Sequence, residues 1–152
     1  MPVAVQPGMI SRVENRVVAR FADGLTLRGT TIDFSPMRRM FRISDNGATY
    51  EVDVTKLKAL FFVRDFDGNP AYREKKGFFS RQNHGKKCMV EFKDGEVLFG
   101  YTLTYTSQGL GFFVFPGDPE CNNEKVFVVH GSTASVKLTA LSGSFPQMPH
   151  PA

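Results

Sequence analysis

The chain carries an internal repeat, and nothing else in it restricts the fold so much. Phe21, Asp23, Gly24, Leu27, Gly29, Thr31 and Phe41 match Phe92, Asp94, Gly95, Leu98, Gly100, Thr102 and Phe112, each pair 71 positions apart in one ungapped register. Ala19 with Val90, Ile32 with Leu103, Phe34 with Tyr105 and Ile43 with Val114 extend the match, so the apolar alternation recurs too. A sequence unit repeated at a fixed offset is one supersecondary module folded twice. The 152 residues suffice for two modules of about 60 residues each. With 41 % apolar and 22 % charged residues the chain has the balance of a folded protein. Fifteen Phe, no Trp and segments rich in Val and Thr favour pleated strands.

The shared core reads F-x-D-G-x-x-L-x-G-x-T. Asp-Gly between alternating runs is a hairpin signal, and a type I′ turn is expected at each. Gly29 and Gly100 fall inside the second strand of each copy, where a missing side chain marks a bulge or bend that curls a sheet. Asp45-Asn46-Gly47 makes a further tight turn between Phe41–Ser44 and Thr49–Val54. Each copy ends in a strand, a short polar break readable as one 3₁₀ turn, and a closing strand: EVDV-TKLK-ALFFV, then VFVV-HGSTA-SVKL. This organisation resembles the SH3-like and Sm-like small barrels. It implies an all-β chain of two tandem five-stranded barrels, at 13–64 and 88–141, joined by a basic connector at 65–87. Residues 1–12 and the Pro-rich 142–152 are expected to be flexible ends.

Two further resemblances bear on function. The segment ALFFVRDFDGNP at 59–70 resembles part of an uncharacterised bacterial family found near signalling proteins, which implies a bacterial regulatory setting. Arg16-x-x-x-Arg20 with Asp33-x-Ser35 is similar to the PilZ family's motif, which implies a cyclic dinucleotide site at Arg16, Arg20, Asp33 and Ser35. The match departs at Arg38, where that motif needs Gly. The Asp-x-x-x-Asn segment of Sm-like RNA binders is absent, since Met37 stands in place of the Asn.

Charge is concentrated in the connector. Residues 73–87 hold six Lys or Arg against one Glu, in a chain whose net charge is +4. Arg73, Lys75, Lys76, Arg81, Lys86 and Lys87 around Phe78 and Phe79 offer phosphate contacts plus stacking rings, the combination that takes a nucleotide or single-stranded nucleic acid. A solvated linker whose two Phe rings pack on a barrel gives the same pattern. Arg38, Arg39 and Arg42 form a second basic group, suited to phosphate or to an ordinary charged hairpin. Where the first copy has these arginines the second has Gly109, Leu110 and Phe113, and its strand around Phe112, Phe113 and Phe115 is apolar on both faces. Such a strand is expected to be covered by the other barrel, a protein partner or a second copy in a homodimer.

No catalytic constellation is legible. His84, His130 and His150 lack a second ligand at metal spacing. Cys88 is read as packed and Cys121 as exposed in the loop PGDPECNNEK, with no feature that would activate a thiol. Asp118, Glu120 and Glu124 in that loop are read as a solvated turn. No cofactor fingerprint is present. Two unpaired cysteines, an N-terminus without a charged start and apolar run, and no stretch near the roughly 20 apolar residues of a membrane span point to the cytoplasm. The expectation is a non-enzymatic regulatory or adaptor module that binds an anionic ligand or a protein partner. The alternatives are a self-associating structural protein and a cyclic dinucleotide sensor.

Overall fold

A computed structural model describes residues 13–68, 71–79 and 85–139. Among these residues the regular structure is all strand apart from two single 3₁₀ turns. The first copy supplies β1 (Asn15–Phe21), β2 (Thr26–Thr31), β3 (Met40–Asp45), β4 (Ala48–Asp53), a turn at Val54–Lys56 and β5 (Leu57–Val63). The second supplies β6 (Lys86–Phe92), β7 (Val97–Thr102), β8 (Gly111–Pro116), β9 (Asn123–Val129), a turn at His130–Ser132 and β10 (Thr133–Thr139). No helix among them is long and apolar enough to cross a membrane.

The Asp-Gly turns are of another kind than expected. Only Gly24 and Gly95 take positive φ there (97° and 93°), while Asp23 and Asp94 do not. Gly24 N donates to Phe21 O at 3.0 Å, and Phe21 N donates to Leu25 O at 2.8 Å, with the same pair of bonds at 92–96. This is a type I turn closed by a left-handed glycine, the three-residue loop with a G1 bulge. Each Asp carboxylate accepts from the N–H two residues on, Leu25 or Glu96, at 3.0 Å. The type I′ geometry occurs instead at Asn46-Gly47, with φ of 49° and 83°.

Gly29 and Gly100 sit in ladders that run on without a bulge, opposite Val17 and Cys88, and what they admit is a close approach of the next strand. A Cβ at Gly29 would lie 2.3 Å from Ser44 O, and one at Gly100 would lie 2.4 Å from Phe115 O. β3 and β8 thus cross tightly over β2 and β7, and those pairs keep only short ladders, Thr30 with Ser44 and Gly100–Tyr101 with Phe115–Pro116.

The expected separation into two closed barrels is met only as far as the strand class. All ten strands belong to one antiparallel sheet, ordered β10-β6-β7-β8-β9-β5-β1-β2-β3-β4, which does not close on itself. The junction is β5 against β9, with Ala59 opposite Val128, Leu60 opposite Phe127 and Phe61 opposite Val126. This pair is a wall shared by two cores. Leu60, Phe62, Phe127 and Val129 face the core that also holds Val17, Ala19, Phe41 and Ile43. Ala59, Val126 and Val128 face the other, with Cys88, Val90, Phe92 and Val114. Burial on both faces explains why ALFFV and VFVV read as continuous apolar runs. Phe113 of β8 crosses the boundary, its ring 5.8 Å from Phe62, 6.1 Å from Phe34 and 5.2 Å from Phe127. Phe112 lies in the second core with Tyr105 against it. Phe115 is half-buried.

Candidate functional site

The connector is laid against the sheet as a strap. Arg64 N donates to Asn122 O at 2.9 Å. The Asn122 amide brackets the backbone of Asp65, accepting from its N–H at 3.1 Å and donating to its carbonyl at 2.7 Å. Arg16 Nη1 donates to Arg64 O at 2.9 Å, and Arg28 Nη1 reaches Phe66 O at 3.4 Å. Two arginines of the outer face of β1 and β2 therefore hold the strap's start.

Farther on, Asp118 is the latch. It is 1 % exposed, contrary to the solvated turn expected of its loop. Its carboxylate accepts from Tyr72 OH at 2.5 Å, Lys75 N at 2.8 Å and Glu120 N at 3.0 Å. Burial pushes this carboxyl up, but those three bonds outweigh it, and the group lies below its ordinary value. The same bond, with burial, pushes Tyr72 up to about 12. Phe79 N then donates to Gly117 O at 2.7 Å, and a Cβ at Gly117 would fall 1.7 Å from Gly77 O. Only glycine lets the strap come so close.

The strap displays two cation–ring pairs. Phe78 packs edge-on against Phe99 and Tyr101, at 5.8 and 5.6 Å, with Lys87 Nζ 5.3 Å from its ring centre. Phe79 is 50 % exposed, with Lys75 Nζ 5.7 Å from its ring. Arg73, Lys76 and Lys86 are exposed, and Arg81 lies outside the described residues. Lys76 stands 3.9 Å from Glu74 and lines a cleft of about 360 Å³ between the strap and the sheet. Phe61, Val18 and Val63 line this cleft beside Phe92 and Leu98 of the second copy. Arg20 lies over Phe61, its guanidinium carbon 5.3 Å from the ring centre. Arg20 and Lys76, 56 positions apart in sequence, thus share one cleft.

The other expected site residues go elsewhere. Arg39 forks onto Asp53 at 2.8 and 3.0 Å, and that bond, with one from Thr55, holds the Asp53 carboxyl well below the usual carboxylate range. Arg42 Nε is 4.0 Å from Asp33, whose carboxylate also accepts from Arg42 N and Thr31 Oγ1. Arg38 is exposed, and Ser35 Oγ accepts from Met37 N. Asp33 and Ser35 order the β2–β3 loop and do not bond Arg16 or Arg20. Cys121 is buried, not exposed, and burial pushes both thiols up to about 12. Neither is poised as a thiolate. Among the described residues no three His, Cys, Asp or Glu converge as metal ligands; His84 and His150 lie outside them.

Sequence reading missed Lys58. It sits in β5 at 8 % exposure, with Nζ 2.7 Å from Asp94, in contact with Glu96, and 4.8 Å from the Phe92 ring centre. Burial pulls the ammonium down, yet the two carboxylates outweigh it and raise its pKa. A signal existed: Lys58 interrupts an apolar run, and Glu96 replaces the Leu25 of the first copy.

Residues 13–140 match a family described as "Family of unknown function (DUF6982)". No curated protein and no solved structure matches the chain.

Proposed function

This chain belongs to the DUF6982 family, and we propose that it is a non-enzymatic bacterial regulatory module that binds an anionic ligand with planar rings, a nucleotide or single-stranded nucleic acid. Its two halves are SH3-like or Sm-like small barrels fused through a common wall, and the strap across that wall is the binding element. The observation that carries this reading is Phe79, half-exposed beside Lys75 on a strap whose backbone is fixed by Asp118 and Gly117. A fixed aromatic ring among cations stacks on a base and contacts its phosphate without first being ordered. Lys76 and Arg20 extend the positive surface into the cleft over Phe61. Arg39 and Arg42 are left out, being occupied by Asp53 and Asp33.

Calorimetric titration of the whole chain with short single-stranded oligonucleotides and with cyclic dinucleotides tests this. Affinity for the preferred class should fall steeply with added salt, and Phe79→Ala should weaken it by about 5- to 100-fold, the range of one lost base stack. Binding that ignores salt and Phe79, or no binding in either series, refutes the reading.

A further inference from the structure

The β5–β9 junction is a head-to-tail contact: the last strand of one copy lies beside the penultimate strand of the other. A contact of that kind uses two different surfaces, so each copy retains the surface its partner used. The two left over are the ends of the sheet. β4 precedes the first 3₁₀ turn as β9 precedes the second, and β10 follows the second as β5 follows the first, each 76 positions apart. Among the described residues, β4 and β10 each have a strand neighbour on one side only.

Neither edge is closed to a further strand by proline or by being very short: β4 (ATYEVD) and β10 (TASVKLT) contain no Pro, and each is six or seven residues long. Asp45 and Ala48 flank the two-residue turn and form a hydrogen-bonded pair, so Thr49 and Glu51 direct their N–H and C=O away from β3. Tyr50 is 46 % exposed, although its counterpart Val126 at the junction is wholly buried. Val136 and Leu138 are only partly covered where their counterparts Leu60 and Phe62 are buried. Each edge carries one charge, Glu51 on β4 and Lys137 on β10. The repeat selects the mode of pairing, since β4 and β10 stand in their copies where β9 and β5 stand at the internal junction.

We propose that chains associate head to tail, β4 of one copy adding as a strand beside β10 of the next in the register of the β5–β9 junction. Ser135 then lies opposite Val52, Val136 opposite Glu51, Lys137 opposite Tyr50 and Leu138 opposite Thr49. The product is a ring where the rotation closes and a filament where it does not. Glu51 replaces Phe127 and Lys137 replaces Phe61 at this contact, so it is weaker than the internal junction and depends on concentration.

Sedimentation velocity over a concentration series and disulfide trapping test this together. The mass of the native chain should rise with concentration in steps of one chain, and Thr49→Pro, which removes an outward N–H without touching the β3–β4 ladder, should stay monomeric. Should Thr49→Pro fail to fold, trapping still decides. Tyr50→Cys and Lys137→Cys, prepared separately and mixed under oxidation, should give a one-to-one covalent dimer, since opposed positions meet disulfide geometry. A native chain that is monomeric at every concentration, or Tyr50→Cys that couples to itself as readily as to Lys137→Cys, overturns the proposal.

Discussion

Lys58 of the first repeat places its ammonium 2.7 Å from the carboxylate of Asp94 in the second, with the ring of Phe92 beneath it. The cation comes from the shared wall and the anions from a hairpin turn, so the contact fixes how the halves meet. Asp94 and Glu96 are about half exposed, so truncating the lysine leaves them access to water and costs mainly packing. Lys58→Ala should destabilise the chain by about 1–2 kcal/mol, and Lys58→Met by less, because the methionine stem still covers Phe92. Chemical denaturation of both variants measures the difference; equal losses would place the stability in the charge instead.

The same pair sets part of the pH response. Lys58 holds the Asp94 carboxyl below its ordinary value, and Arg39 with Thr55 does so for Asp53. Groups whose folded pKa is depressed add stability that is complete above the unfolded value, about 3.9, and is lost as pH falls through the folded value. Lys58 has a raised pKa, so its share is complete below about 10.4 and is lost as pH rises beyond it. Thermal melts should therefore show a plateau between these limits and a fall below about pH 4. Lys58→Met should shallow the acid limb, and an unaltered limb would remove Asp94 from the account.

A side chain at Gly117 should free the strap without unfolding the sheet. Its Cβ would meet Gly77 O at 1.7 Å, and the bond from Phe79 N to Gly117 O could not form as it stands. In Gly117→Ala, trypsin should cut at Arg73, Lys75 and Lys76 many times faster than in the native chain, while the melting temperature moves little. Unchanged cleavage would show that the strap is secured without the bond from Phe79 N to Gly117 O.

Much of the frame was legible in the sequence, because the features that make a tight turn or admit a close crossing are local. Asn46-Gly47, Gly29 and Gly100 announce a turn and two close crossings by what they lack. The turn type at Asp23-Gly24 was not legible, since Asp-Gly serves both a type I′ turn and a type I turn with a bulge; the lengths of the paired strands decide between them. The burial of Asp118 and Cys121 was also hidden, for it depends on a strap that returns from 43 residues away. Arg20 and Lys76 reach one cleft only because β5 and β9 pair, and no local pattern encodes which of two apolar strands finds the other.

Gly29→Ala and Gly100→Ala should each cost about 2–4 kcal/mol, since the added methyl overlaps backbone and has no flexible neighbour to displace. The two sites lie in different repeats but in one sheet, which makes the form of unfolding informative. The shared wall predicts a single denaturation transition in both variants, shifted alike. Phe127 and Val129 complete the first core from the second repeat, and Ala59 enters the second core from the first. An excised 13–64 fragment therefore exposes Leu60 and Phe62 on a core that lacks its far side, and should give no cooperative melt. Burial of two large aromatic or branched side chains is worth about 3–6 kcal/mol, comparable to the whole stability of a body this small. A fragment that melts cooperatively, or a Gly29→Ala chain that unfolds in two separate steps, would establish the repeats as independent domains that merely touch.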